Sequence, residues 1–177
     1  MDKKIIFSRD EMYELNVERL KERGVELEAI AEIAYHQQSR YIPNVSFDVC
    51  LESVKKLLSL RDIFHIVQLG IEIDRLTEEG KFRSPIQDIM KADLGMFGID
   101  EIIGLAVANN YGAIGQTNFG DIDVNKPGIV AKLNSDGKSD KPNCHTFLDD
   151  IVGAIAAAAS TRVAQIMSEE IAHKDME

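Results

Sequence analysis

The segment IVGAIAAAA, Ile151 to Ala159, constrains the fold more than any other part of the chain. As a helix it is apolar on every face, and a helix apolar all round is buried all round. Its glycine and alanines let neighbouring helices come close. The segment therefore reads as the central post of a bundle. Immediately before it stand Asp149 and Asp150. Consecutive helix positions lie about 100° apart, so at least one of the two carboxylates can point into the bundle, where an unpaired charge is costly.

The remainder reads as helices able to surround that post. Met12, Leu15, Val17 and Leu20 gather near one face of a helix ending at Gly24. Leu27, Ile30, Ala31 and Ala34 repeat at helical spacing up to the break at Pro43-Asn44. Phe47, Cys50, Leu51, Val54, Leu57 and Leu58 form a third stripe, and Ile63, Ile66, Val67 and Ile71 a fourth, closed by Gly80. Ser84-Pro85 has the form of an N-cap followed by proline at the first helical position. A further helix is expected from about Ile99 to Asn110, and a last one from about Thr146 to Ala172. Tyr111 to Asn125, rich in Gly, Asn and Asp, reads as an irregular loop. KPGIVAKLN has room for one or two helical turns, and SDGKSDKPN reads as a mobile surface turn. Disorder is expected only at the two ends. No alternating strand pattern finds a partner. The expectation is an all-α bundle of six or seven helices, one domain over residues 1–177.

Charge narrows the partners. Thirty acidic residues against twenty basic give a net charge of −10. Such a chain is repelled by nucleic acid and by anionic membranes, while gathered carboxylates suit a divalent cation. The N-terminus has only three consecutive apolar residues, which excludes a signal peptide. Ile151 to Ala159 is too short to span a bilayer. Two cysteines, Cys50 and Cys144, form no C-x-x-C pair, which fits a reduced cytoplasm.

Acids in the first turn of a helix can simply complement its dipole. Thr146 to Asp149 has the outline of a capping box, and Asp100-Glu101 also open a helix. That reading leaves Asp150 unexplained. Taken together, Asp100, Glu101, Asp149 and Asp150 can form an oxygen-rich site for Mg²⁺, with Mn²⁺ as an alternative ion. Lys126, three residues after Asp123, is placed to offset phosphate charge. Thr117, Asn118 and backbone N–H groups of YGAIGQTNFGD could add phosphate contacts, although this is no Walker A loop. Glu28 and Glu32 read as a solvated face, Glu72, which sits with Asp74 inside LGIEIDRLTEEG, as the partner of Arg75, and His145 as a cap or loop residue. His36, His65 and His173 have no partners at metal spacing.

Three segments, DEIIG (Asp100 to Gly104), DVNKPG (Asp123 to Gly128) and LDDIVGAIAAA (Leu148 to Ala158), resemble in order the signature segments of the phosphatidylglycerophosphatase A family. Those read D-E-x-x-G, D-x-x-K-P and D-D-I-V-[AG]. The whole chain looks similar to a soluble all-helical branch of that superfamily from Gram-positive bacteria, with a central helix surrounded by others. The resemblance implies Mg²⁺-dependent hydrolysis of a phosphate monoester, phosphatidylglycerophosphate to phosphatidylglycerol. It also implies a site made of Asp100, Glu101, Asp123, Lys126, Asp149 and Asp150. Membrane-bound members carry transmembrane helices and a glycine-rich segment near the N-terminus, and this chain has neither.

Two readings follow. The first is a metal-dependent phosphatase acting on a phosphorylated small molecule or lipid headgroup. Asp100, Glu101, Asp149 and Asp150 would be ligands, while Asp123, Asp150 and Lys126 would take part in catalysis. Attack by water and an aspartyl-phosphate route both remain open. The second is a non-catalytic helical protein, a homo-oligomeric binding or regulatory module that keeps the carboxylates for metal or stability.

Overall fold

The computed structural model describes residues 6–93, 98–137 and 142–174, with side chains to residue 169. Among these the structure is all-α. The helices are α1 (Arg9–Glu22), α2 (Leu27–Gln38), α3 (Phe47–Leu58), α4 (Arg61–Glu78), α5 (Ile86–Ala92), α6 (Ile99–Ala108), α7 (Gly112–Asn125), α8 (Ile129–Asp136) and α9 (Leu148–Lys174), with a 3₁₀ turn at Asn109–Tyr111.

The central post is α9. Every residue from Cys144 to Thr161 is buried, and Ile151, Val152 and Ala154 to Ala159 are wholly inaccessible. Helices α2, α3, α4, α6, α7 and α8 all pack on it. Glycines make the closest crossings possible. A Cβ on Gly70 of α4 would lie 2.2 Å from Ile151 Cδ1, and one on Gly104 of α6 would lie 2.6 Å from Phe119 and 3.3 Å from the Asp150 carbonyl oxygen. Both crossings therefore fall at the first turn of α9. By length and composition alone, Leu148–Glu169 could cross a membrane, a longer window than Ile151 to Ala159 suggested, but 67% of it is buried inside the protein.

Local signals start and stop the outer helices. Ser8 and Glu11 form a reciprocal capping box on α1, with bonds of 3.3 and 2.8 Å. The helix ends before Gly24, whose φ of +75° is costly for any side chain. Ser46 caps α3.

Four expectations are corrected. Nine α-helices form among the described residues against about six or seven expected, with α7 the one added where a loop was expected. Residues 112–125 are helix, not loop: Gly115, Phe119 and Ile122 are buried, and packing on α9 overrides the poor helix propensity of Gly and Asn. Pro85, not Ser84, occupies the N-cap position of α5, with no side-chain cap bond. Thr146 and Asp149 do not form a capping box, since the Thr146 hydroxyl donates to the Met90 carbonyl at 2.8 Å. KPGIVAKLN does supply the two turns of α8. Residues 138–141 of the expected surface turn, Met1 to Ile5 and residues 175–177 lie outside the described residues.

Candidate metal centre

Three helix ends meet at the start of α9: the first turn of α6, the last turn of α7 and the first turn of α9 itself. Asp100 and Glu101 come from α6, Asp123 from α7 and Asp149-Asp150 from α9. Asp100, Asp149 and Asp150 are 6%, 5% and 4% exposed. Carboxylate oxygens of Asp100, Glu101 and Asp150 lie within 4.8 Å of one another. Asp100 Oδ1 and Glu101 Oε2 are buried with no hydrogen-bond partner.

Lys126 closes the other side. Its Nζ donates to Asp123 at 2.7 Å, Asp149 at 3.2 Å and Asp150 at 3.3 Å. An ammonium has three N–H donors, and all three are spent on carboxylates. Pro127 disfavours right-handed helical geometry at the residue before it. Lys126 leaves α7 in the left-handed region, with φ of 43°. That conformation is unfavourable for a side-chain-bearing residue and is retained where the surroundings over-determine it. Here the three ion pairs do so.

One lysine does not neutralise this many acids. Burial pushes the Asp150 carboxyl up to about 9, with further push from Asp149, against the pull of Lys126. Burial, then the neighbouring Glu101 carboxylate, raise Asp100 to about 8. Asp149 is raised to about 6, chiefly by burial, and Asp93 at the C-terminus of α5 adds to it. Burial alone would lower the Lys126 pKa, but Asp149, Asp123 and Asp150 outweigh it and hold the ammonium charged. The centre thus holds protons where a free carboxylate would hold none.

The cap of α9 comes from elsewhere. Asp74, wholly buried in α4, accepts the Phe147 N–H at 3.1 Å and the Leu148 N–H at 3.0 Å. Asp149 Oδ1 accepts only the N–H of its neighbour Asp150, at 3.0 Å. Asp93 has no signal in the sequence, and Asp74 stands out there only as the neighbour of Glu72, a charge inside the apolar run GIEID.

Thr117 and Asn118 stand apart from this group. Thr117 is exposed and bonds back to the Ala113 carbonyl at 2.9 Å. Asn118 donates to Thr161, far along α9, at 3.0 Å. Because YGAIGQTNFGD is largely helix, most of its backbone N–H groups are used within α7 and form no loop cradle. Glu28 and Glu32 are exposed, Glu72 pairs with Arg75 at 2.6 Å, and Cys50 and Cys144 are both free thiols.

A family model described as Phosphatidylglycerophosphatase A matches residues 29–165. The chain belongs to the phosphatidylglycerophosphatase A family. The match takes in every residue of the carboxylate group, so these acids sit within the family's shared region. The uncharacterized protein YutG of Bacillus subtilis is 44% identical over 146 residues, 82% of this chain and 86% of that protein. The crystal structure of the low temperature requirement C protein from Listeria monocytogenes is 44% identical, with a TM-score of 0.84 over 89% of this chain and 97% of that one. That of ypjQ from Bacillus subtilis is 40% identical, again with a TM-score of 0.84, over 97% of this chain and all of that one (100%). The helical bundle around α9 is thus shared with both of these solved structures.

Proposed function

We propose that this protein is a divalent-metal-dependent phosphatase that hydrolyses a phosphate monoester on a lipid headgroup, phosphatidylglycerophosphate to phosphatidylglycerol. The observation that carries the reading is the buried trio of Asp100, Glu101 and Asp150, with oxygens within 4.8 Å and two of the buried oxygens unpartnered. Buried carboxylates this close repel unless protons or a cation lie among them. An all-oxygen donor set fits Mg²⁺ or Mn²⁺. Asp100, Glu101 and Asp150 would hold the ion, with Asp149 beside them. When bound, such an ion supplies Lewis-acid neutralisation of phosphoryl charge.

The chain's own groups supply the rest. Lys126 keeps its charge and stands between Asp123 and the α9 pair, so it offsets negative charge on a phosphoryl group brought to the centre. Asp123 is the more open acid there, its side chain 30% exposed, so it can orient a water and accept its proton. Ile99, Ile102 and Val124, each one residue from an acid of the group, are exposed at 50%, 64% and 81%. Apolar side chains beside the acids favour a substrate with an apolar part over a fully soluble ester.

Phosphate release from phosphatidylglycerophosphate and from p-nitrophenyl phosphate, with and without Mg²⁺, tests the proposal. Metal-dependent turnover of the lipid is expected. No turnover of either ester with metal present would refute the phosphatase and leave the non-catalytic binding module.

A further inference from the structure

We propose that Asp74 is the positioning residue of this centre: by capping α9 from another helix, it fixes where Asp149 and Asp150 stand. The inference rests on reading the acids as a metal site. The first N–H groups of a helix have no partners within it, and a residue just ahead of the helix normally supplies the cap. Here the residues ahead are committed elsewhere. Thr146 donates to Met90, and the backbone of Cys144 is held on both sides. Its N–H donates to Glu78 at 2.7 Å, and its carbonyl accepts from Arg23 at 2.6 Å. The cap comes instead from Asp74, whose two oxygens each take one N–H.

The geometry makes Asp74 and the start of α9 one unit. Gly70 lies one turn before Asp74, on the same face of α4. It seats α4 directly on Ile151 and Phe147, with a Cβ there only 2.2 and 3.4 Å from them. Arg23 also bridges Glu78 of α4, its Nη2 to Oε1 at 2.6 Å. The height of α9 relative to α4 is thereby pinned from two sides. With the Phe147 and Leu148 amides bound by Asp74 and the Asp150 amide by Asp149, the Asp150 side chain is not needed as a cap. Asp150 is left to face Lys126 and the α6 acids. Small ions require ligand distances held to tenths of an ångström, so slippage of this first turn would cost affinity before it cost the fold. Partners that only orient metal ligands typically change affinity 10–100-fold.

The test is calorimetric titration of Mn²⁺ into the wild type, Asp74→Asn and Val54→Ala, each with its melting temperature. Val54 is wholly buried in α3 and none of the described polar bonds of the centre involve that helix, so it controls for lost stability. Amide exchange of the wild type is measured alongside. Asp74→Asn is expected to weaken Mn²⁺ at least about tenfold, while Val54→Ala keeps wild-type affinity at a comparable loss of melting temperature. The Phe147 and Leu148 amides are expected to exchange only through global opening. Wild-type affinity in Asp74→Asn, equal losses in both variants, or fast exchange at Phe147 and Leu148 would each overturn the proposal. A wild type that binds no Mn²⁺ is a distinct failure: it refutes the metal reading itself and takes the positioning role with it.

Discussion

Two buried acidic groups flank the entry to α9, and their hydrogen bonding differs. On the α4 side, both Asp74 oxygens accept an amide, and Glu78 accepts from Arg23 and the Cys144 N–H. On the α6 side, Asp100 Oδ1 and Glu101 Oε2 have no partner. Both groups are expensive to bury. The first is satisfied by the protein's own donors and contributes to the fold. The second also holds unmet acceptors that a cation would meet, whereas burial raises carboxyls on both sides, Asp74 included. The comparison separates a carboxylate that builds the helix from carboxylates that the helix presents.

Substitution on each side should have opposite consequences. Asp150→Asn removes a proposed ligand and should lower Mn²⁺ affinity by more than the 10–100-fold typical of an outer-shell partner. It should also raise the melting temperature of the metal-free protein near pH 7, because a neutral amide is buried without the cost of protonating a carboxyl whose pKa burial has raised to about 9. Asp74→Ala strands two buried amides and should destabilise by about 2–5 kcal/mol, read by denaturant unfolding. Loss of stability in Asp150→Asn equal to that in Asp74→Ala would erase the distinction.

Millimolar Mg²⁺ or Mn²⁺ should stabilise the wild type. At about 100 times Kd the gain is about 2.7 kcal/mol, or roughly 5–10 °C in melting temperature for a chain of this size. Asp150→Asn should show little of it in a thermal scan.

A smaller effect concerns pH without metal. Asp100 and Asp150 titrate near 8 and 9 in the fold, against about 3.9 when unfolded. Between about pH 6.5 and 9 the folded chain therefore holds more protons than the unfolded one, and stability falls as pH rises. Below about 6.5, His145 opposes this trend. Burial holds its pKa down to about 4, so there the unfolded state takes up the extra proton. Melting curves across pH 6.5 to 9 should show the decline, and Asp150→Asn should flatten it. Thr117→Ala, on an exposed and separate part of α7, should leave Mn²⁺ affinity unchanged and stability within about 0.5 kcal/mol.

The sequence carried the fold where apolar spacing was strong. The all-round apolarity of Ile151 to Ala159 implied a central helix, and the stripes of α1 to α4 implied its neighbours. It failed at residues 112–125, because Gly, Asn and Asp describe a local preference while burial of Phe119 and Ile122 is decided by α9. The acids themselves were legible as adjacent pairs opening helices. Their mutual distances were not, because Asp100, Lys126 and Asp150 meet only through tertiary packing. The capping role of Asp74 was illegible for the same reason: the helix it caps begins 74 residues further along the chain.

The most direct measurement is anomalous diffraction from a crystal soaked in millimolar Mn²⁺. The account predicts a peak about 2–2.5 Å from oxygens of Asp100, Glu101 and Asp150, with none at Asp74. A fully soaked crystal with no peak at that trio, or with the ion bound elsewhere, would contradict it.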